Sequence, residues 1–174
     1  MKRECVTIRV EPEFLREVAD FPGEIVMVLP RPSGKVLTMT KSFYPEGIFR
    51  LPSGKILPEE TPEEAFIREV REETSLDVVP VAKLAEIVLH CVSGDKQTDV
   101  TSYILLGTLT TNLPHPQDIG EQISDYREAD AEELQAIAKR LRSMSGNWTG
   151  WGHFRAPAHE VVAKYLIEQT GWNG

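Results

Sequence analysis

The sequence predicts an α/β fold, a mixed β-sheet covered by helices. Three observations predict it. Short runs alternate apolar and polar residues, as at residues 6–10, and so read as strands. Other runs place apolar residues on one helical face, as with Leu134, Ile137 and Leu141. The two kinds of run interleave along the chain, divided by Gly- and Pro-bearing turns such as Pro52-Ser53-Gly54.

The elements follow in order. Residues 6–10 form a short strand and residues 11–19 a turn or two of helix. Residues 24–29 and 35–39 read as a hairpin closed through Pro30 to Gly34. Residues 48–51 are a further strand. A helix then starts at a capping box: Thr61 caps, Pro62 takes the first helical position and Glu64 follows three residues after the cap. It should run to about Thr74. Residues 78–92 and 98–108 read as long strands about a turn at Ser93-Gly94-Asp95. Residues 112–120 form a polar loop and residues 122–126 a strand. Asp130 caps a helix reaching about Met144. Residues 145–152 are a loop, and residues 157–169 a last helix with Val161, Val162, Tyr165 and Leu166 on its buried stripe.

The 174 residues suffice for one domain with a full core, with 1–20 and 145–174 as terminal extensions. At 41% apolar and 26% charged the chain is ordinary for a soluble protein. No apolar run approaches a membrane span, and the N-terminus lacks the apolar stretch of a signal peptide. Cys5 and Cys91 make no framework, so reduced thiols in a cytoplasm are expected. No basic nucleic-acid footprint is present. The net charge of -8 is concentrated: residues 59–77 hold eight acids and two bases, and the remainder is nearly balanced.

That acidic stretch is the chemical signal. On a helical wheel Glu69, Glu72 and Glu73 share one arc, and Phe66, Ile67, Val70 and Thr74 the adjacent one. Carboxylates at such spacing repel by about 0.2–0.5 kcal/mol a pair when exposed, and more when buried. Arg68 offsets part of this. A hard divalent cation, Mg²⁺ or Mn²⁺, would offset more, since these ions take oxygen ligands. Gly54 adds a backbone of close approach, with a carbonyl able to join the set. A solvated acidic face is the ordinary use of such a charge run.

The spacing separates these readings. Gly54, Glu60, Arg68, Glu69, Val70, Glu72, Glu73 and Leu76 stand in the register of the Nudix box, with Ser75 in place of its last glycine. The chain therefore resembles the Nudix hydrolase superfamily over roughly residues 20–143. The resemblance implies a Nudix-like α/β/α sandwich and Mg²⁺-dependent hydrolysis of a nucleoside diphosphate derivative. A nucleoside triphosphate, a nucleotide sugar and an ADP-ribose type compound remain open as substrates. It implies metal ligation by Glu69, Glu73 and Glu72 with the Gly54 carbonyl, and an organising role for Arg68. A further acid is expected from the loop before residue 122, Glu121 first and Asp118 second. The general base is left open between Glu69 and Glu121.

Arg50, Arg31 and Lys41 are candidates for substrate phosphates, and Phe43 and Tyr44 for a base. Each also fits plain surface or core. His90, His115, His153 and His159 show no metal spacing. Trp148, Trp151 and Phe154 have three open uses: covering the pocket, building a homodimer contact, or anchoring the last helix. Two other functions compete. A non-catalytic nucleotide sensor would be expected to lose box glutamates, which are kept here. An allylic diphosphate isomerase would need a catalytic cysteine, and Cys91 lacks the surrounding residues.

Overall fold

The computed structural model describes residues 2–21 and 23–171. Met1 and residues 172–174, counted above in the terminal extensions, lie outside the described residues.

The element order is β1 (Lys2–Arg9), α1 (Pro12–Ala19), β2 (Gly23–Val28), β3 (Val36–Lys41), β4 (Ser53–Lys55), α2 (Pro62–Thr74), β5 (Pro80–Ser93), β6 (Lys96–Gly107), β7 (Ile123–Ala129), α3 (Ala131–Arg142) and α4 (Thr149–Thr170). Short 3₁₀ turns occupy Ile119–Glu121 and Gly146–Trp148. A five-stranded mixed sheet has the order β1-β5-β6-β2-β4, and β3 pairs with β7 in a second, two-stranded sheet. No described helix is long and apolar enough to cross a membrane.

β2 shows why the sheet is covered on both faces. All six of its residues are buried. Ile25 and Met27 point to one side, into a cluster with Phe66 and Val70 of α2. Val26 and Val28 point to the other, where Val18 of α1 and Phe154 and Val162 of α4 pack. Alternate side chains of a strand face opposite ways, so a continuous apolar run needs two covering layers. α3 lies against α4 through Leu141, Ala138 and Ala156.

The structure departs from the sequence expectations in three places. The expected hairpin of residues 24–29 and 35–39 begins as one: Pro30 bridges Val36, and the Leu37 amide donates to the Leu29 carbonyl at 3.0 Å. Its arms then part into different sheets, β2 running parallel to β6 and β3 antiparallel to β7. The second difference is the strand expected at 48–51. Only Arg50 pairs there, exchanging both backbone bonds with Met39 of β3, and the named strand β4 falls on the expected turn, against β2. Leu51-Pro52 is thus the crossing from the small sheet to the large one.

The third difference is the tail. The expected loop at 145–152 becomes helical from Thr149, and Pro157 lies inside α4. Gly150 and Gly152, within that expected loop, are contact points. A Cβ on Gly150 would fall 2.3 Å from Glu11 Oε2, and one on Gly152 would fall 2.1 Å from the Leu141 carbonyl oxygen. The Glu11 carboxylate accepts the Gly150 amide at 3.1 Å, satisfying one of the free N–H groups at the helix start.

Candidate active site

Both ends of α2 are fixed by local chemistry, and this sets its rotation. Thr61 Oγ1 accepts the Glu64 amide at 3.2 Å while Glu64 Oε2 accepts the Thr61 amide at 2.9 Å. At the other end Ser75 closes the helix in the left-handed conformation, φ 56°. Phe66 and Val70 then enter the core, and Glu69 and Glu73 lie beside them with only 7% and 1% of their surface exposed.

This burial is deeper than the sequence suggested, and it changes the acids. Burial pushes the Glu69 carboxyl up to about 7, against the pull of Arg68. It pushes Glu73 up to about 8, opposed chiefly by Arg50. Glu73 Oε2 is buried and has no hydrogen-bond partner within the protein. Gly54 abuts Glu69 so closely that a Cβ there would fall 2.1 Å from Glu69 Cδ. Only glycine lets the β4 backbone come this near the carboxylate.

Arg68 organises the box from outside. Its guanidinium forks onto Glu60, Nε to Oε1 at 2.7 Å and Nη2 to Oε2 at 2.8 Å. Nη1 donates to Glu69 Oε1 at 2.6 Å and to Glu72 Oε2 at 3.3 Å, and Nη2 reaches the Lys55 carbonyl at 2.9 Å. One arginine therefore ties the turn after β4, through Glu60 and the Lys55 carbonyl, to Glu69 and Glu72 on α2. The same bonds from Arg68 hold Glu60 below the usual carboxylate range.

A cleft of about 360 Å³ opens beside these groups. Glu69, Glu73, Gly54, Glu121, Lys41 and Arg50 all line it. Lys41 Nζ binds Glu121 Oε2 at 2.9 Å, so the loop acid arrives paired with a cation. Arg50 is 3% exposed and largely committed to the fold: Nε donates to Tyr44 Oη at 2.8 Å, and Nη1 to the Leu51 carbonyl and Ser53 Oγ, both at 2.8 Å.

Other candidates are not brought here. Arg31, expected at the substrate, does not line this cleft; it lies buried, with Glu128 3.8 Å from Nε. Glu72 and Arg68 face a shallower hollow on the outer side of α2. Asp118 spends a side-chain oxygen on the Gly120 amide at 2.8 Å. Trp148, Trp151 and Phe154 take different places. Phe154 is core, Trp151 lines the cleft, and Trp148 packs edge-on to Trp151 and Tyr44.

Sequence reasoning missed the far wall of the cleft. Phe14, Glu17 and Val18 of α1, Phe21, Glu24, Lys55 and Arg155 of α4 line it. Glu24 carried a legible signal, as the one charged residue in an otherwise apolar strand. It is buried, accepting Ser102 Oγ and Arg155 Nη1, each at 2.6 Å.

The acids of the near end form an all-oxygen donor set of the kind Mg²⁺ and Mn²⁺ take. Among the described residues no three acids, imidazoles or thiols already stand at ligating spacing. The fit rests instead on the orphaned Glu73 oxygen, the two carboxyls raised by burial, and the approach of Gly54 to Glu69.

Residues 21–149 match the family model described as NUDIX domain. The chain belongs to the NUDIX family. This Nudix chain, with its box acids kept, is a pyrophosphohydrolase of that family. Among solved structures it is similar to a NUDIX hydrolase from Nitrosomonas europaea, at TM-score 0.58 and 15% identity over 84% of this chain and 90% of that one. A MutT protein from Methanosarcina mazei Go1 gives 0.57 and 17% over 86% and 95%. A C. elegans Ap4A hydrolase gives 0.55 and 16% over 84% and 98%. At these identities the likeness speaks for the fold. No curated protein matches the chain. The Nudix match leaves out all of α1 and nearly all of α4, which supply much of the far wall.

Proposed function

We propose that the chain hydrolyses a diphosphate linkage in a nucleoside diphosphate derivative, with Mg²⁺ or Mn²⁺ as cofactor. The observation that carries this reading is the buried pair Glu69 and Glu73 at the wall of the cleft, Glu69 being held against Gly54. Two carboxyls pushed up by burial, one with an unpaired oxygen, are costly in a protein with nothing positive to bind.

Glu69 and Glu73 would be the principal ligands, with the Gly54 carbonyl beside them and Glu72, outside the cleft but tied to Glu69 through Arg68, at the edge of the set. Such an ion, when bound, would supply charge for the diphosphate oxygens and would make a water more acidic. The chain's own residues do the rest. Arg68 keeps Glu69 and Glu72 turned toward one another. Lys41 holds Glu121 at the cleft edge and brings a positive charge to the phosphate side. The general base stays open between Glu69 and Glu121, which line the same cleft. The far wall excludes water with Phe14, Phe21 and Trp151 and receives the group carried by the diphosphate. A nucleoside triphosphate, a nucleotide sugar and an ADP-ribose type compound all fit this division of the cleft. A cytoplasmic location is consistent with free Cys5 and Cys91.

Cys91 argues against an allylic diphosphate isomerase. Its thiol is fully buried, lies outside the cleft, and is pushed up to about 12 by burial.

The test is a panel of these three substrate types plus dinucleoside polyphosphates, with and without Mg²⁺, with products identified. Metal-dependent release of a nucleoside monophosphate or of diphosphate is expected. Tight metal-independent nucleotide binding without turnover would make the protein a sensor instead.

A further inference from the structure

We infer that His159 is a positioning residue for the hydrolysis, holding the crossing between the two sheets and thereby the two halves of the cleft. The inference rests on the proposed function above for its Mn²⁺ and kinetic readouts, and on the Leu51 amide alone for the third.

Leu51-Pro52 is where the chain passes from one sheet to the other. Arg50 pairs with Met39 of the small sheet, and Ser53 pairs with Val26 of the large one. Between them no strand partner is available for the Leu51 amide. His159 Nε2 supplies the acceptor at 2.9 Å, from α4 and 108 residues away in sequence. The other polar groups of the crossing are also taken: Arg50 Nη1 binds the Leu51 carbonyl at 2.8 Å, and the Met27 amide binds the Pro52 carbonyl at 2.9 Å.

The imidazole is itself locked. His159 is 1% exposed, and Nδ1 donates to the Arg155 carbonyl at 2.9 Å, which leaves Nε2 as the acceptor. A buried amide left without an acceptor has to find one by moving, so the crossing depends on this ring.

What the crossing positions is the cleft. On the small-sheet side are Lys41 on β3 and Glu121 just before β7. On the large-sheet side are Ser53, Gly54 and, pressed against Gly54, Glu69. Glu121, in the turn leading into β7, is carried beside the small sheet and Glu69, on α2 against β4, beside the large one, and Leu51-Pro52 is the direct covalent path from Arg50 to Gly54. His159 does not line the cleft and touches no substrate group. Its role is exercised through the Leu51 amide.

The experiment compares full-length His159→Leu, His159→Gln and His159→Asn. A glutamine carbonyl can reach the place of Nε2, whereas asparagine reaches only that of Nδ1. The readouts are Mn²⁺ affinity by electron paramagnetic resonance, kcat and KM on the substrate found in the panel, and hydrogen exchange of the Leu51 amide. We expect His159→Leu to lose about 10- to 100-fold in kcat and in Mn²⁺ affinity, with KM little changed and Leu51 exchange accelerated. His159→Gln should recover most of this, and His159→Asn should not. A folded His159→Leu with wild-type kcat and metal affinity overturns the inference. If that variant does not fold, equal activity of the Gln and Asn forms overturns it. A wild-type protein that binds no Mn²⁺ and turns over no diphosphate refutes the proposed function but not the hold of His159 on the crossing, which Leu51 exchange in the three variants then decides.

Discussion

Replacing Glu73 by glutamine should make the metal-free protein more stable at pH 8 while abolishing turnover. Glu73 is 1% exposed and its carboxyl is pushed from 4.5 up to about 8 by burial. In an unfolded chain the group ionises near 4.5; in the folded chain it keeps its proton until about 8. The folded state therefore holds the extra proton between these values, and stability falls as pH rises through that window. Stability drops by about 1.4 kcal/mol for each pH unit crossed there, so the penalty accumulated by pH 8 is about 4 kcal/mol. Glutamine removes the titration but still buries a polar amide, so about 2 kcal/mol of gain is expected. For a chain of this size that raises Tm by about 4–8 °C. The assay is thermal unfolding in chelator from pH 5 to pH 8, for wild type and Glu73→Gln, then with Mg²⁺ added. Wild-type Tm should fall with pH, the variant's less so, and Mg²⁺ should restore the wild type alone. A wild-type Tm that rises between pH 5 and pH 8 without metal, or a variant less stable at pH 8, would refute the reasoning.

Gly54→Ala places a methyl 2.1 Å from Glu69 Cδ and should cost about 1–3 kcal/mol in denaturant unfolding, with turnover lost. Ser75→Gly relieves a left-handed serine and should add about 1 kcal/mol of stability with kcat unchanged; a fall in kcat would give that position a part in the chemistry. Arg155→Ala leaves Glu24, whose side chain is 4% exposed, without its cation, and should destabilise by about 3–5 kcal/mol in chemical denaturation.

The carboxylate end of the cleft was legible because α2 is decided locally. A capping box, a proline at the first turn and a fixed spacing of acids are all written within some twenty residues, and the structure places Glu69, Glu73 and Gly54 together. Arg31 misled because an arginine near a turn reads the same whether it faces a cleft or Glu128. The parting of β2 from β3 was not legible, since the turn chemistry of Pro30 to Gly34 suits a hairpin whether or not its arms stay paired. Strand partners are chosen by residues far along the chain, here those of β6 and β7. α4 was misread for a related reason. Gly150, Gly152 and Pro157 all lower helix propensity, and the first two are needed for the approach to Glu11 and Leu141, a tertiary demand that overrides propensity.

The far wall of the cleft joins α1, near residue 12, to α4, beyond residue 149. On a ribosome the first of these emerges early and the second only after the Nudix box and every strand have been made. A nascent chain ending at β7 carries all its phosphate-handling acids yet has no enclosed place for the rest of a substrate. Contacts of such long range also form late in refolding, since their loop must close before they repay it. Substrate selection should therefore be the last property this chain acquires, after its secondary structure and its carboxylate pair.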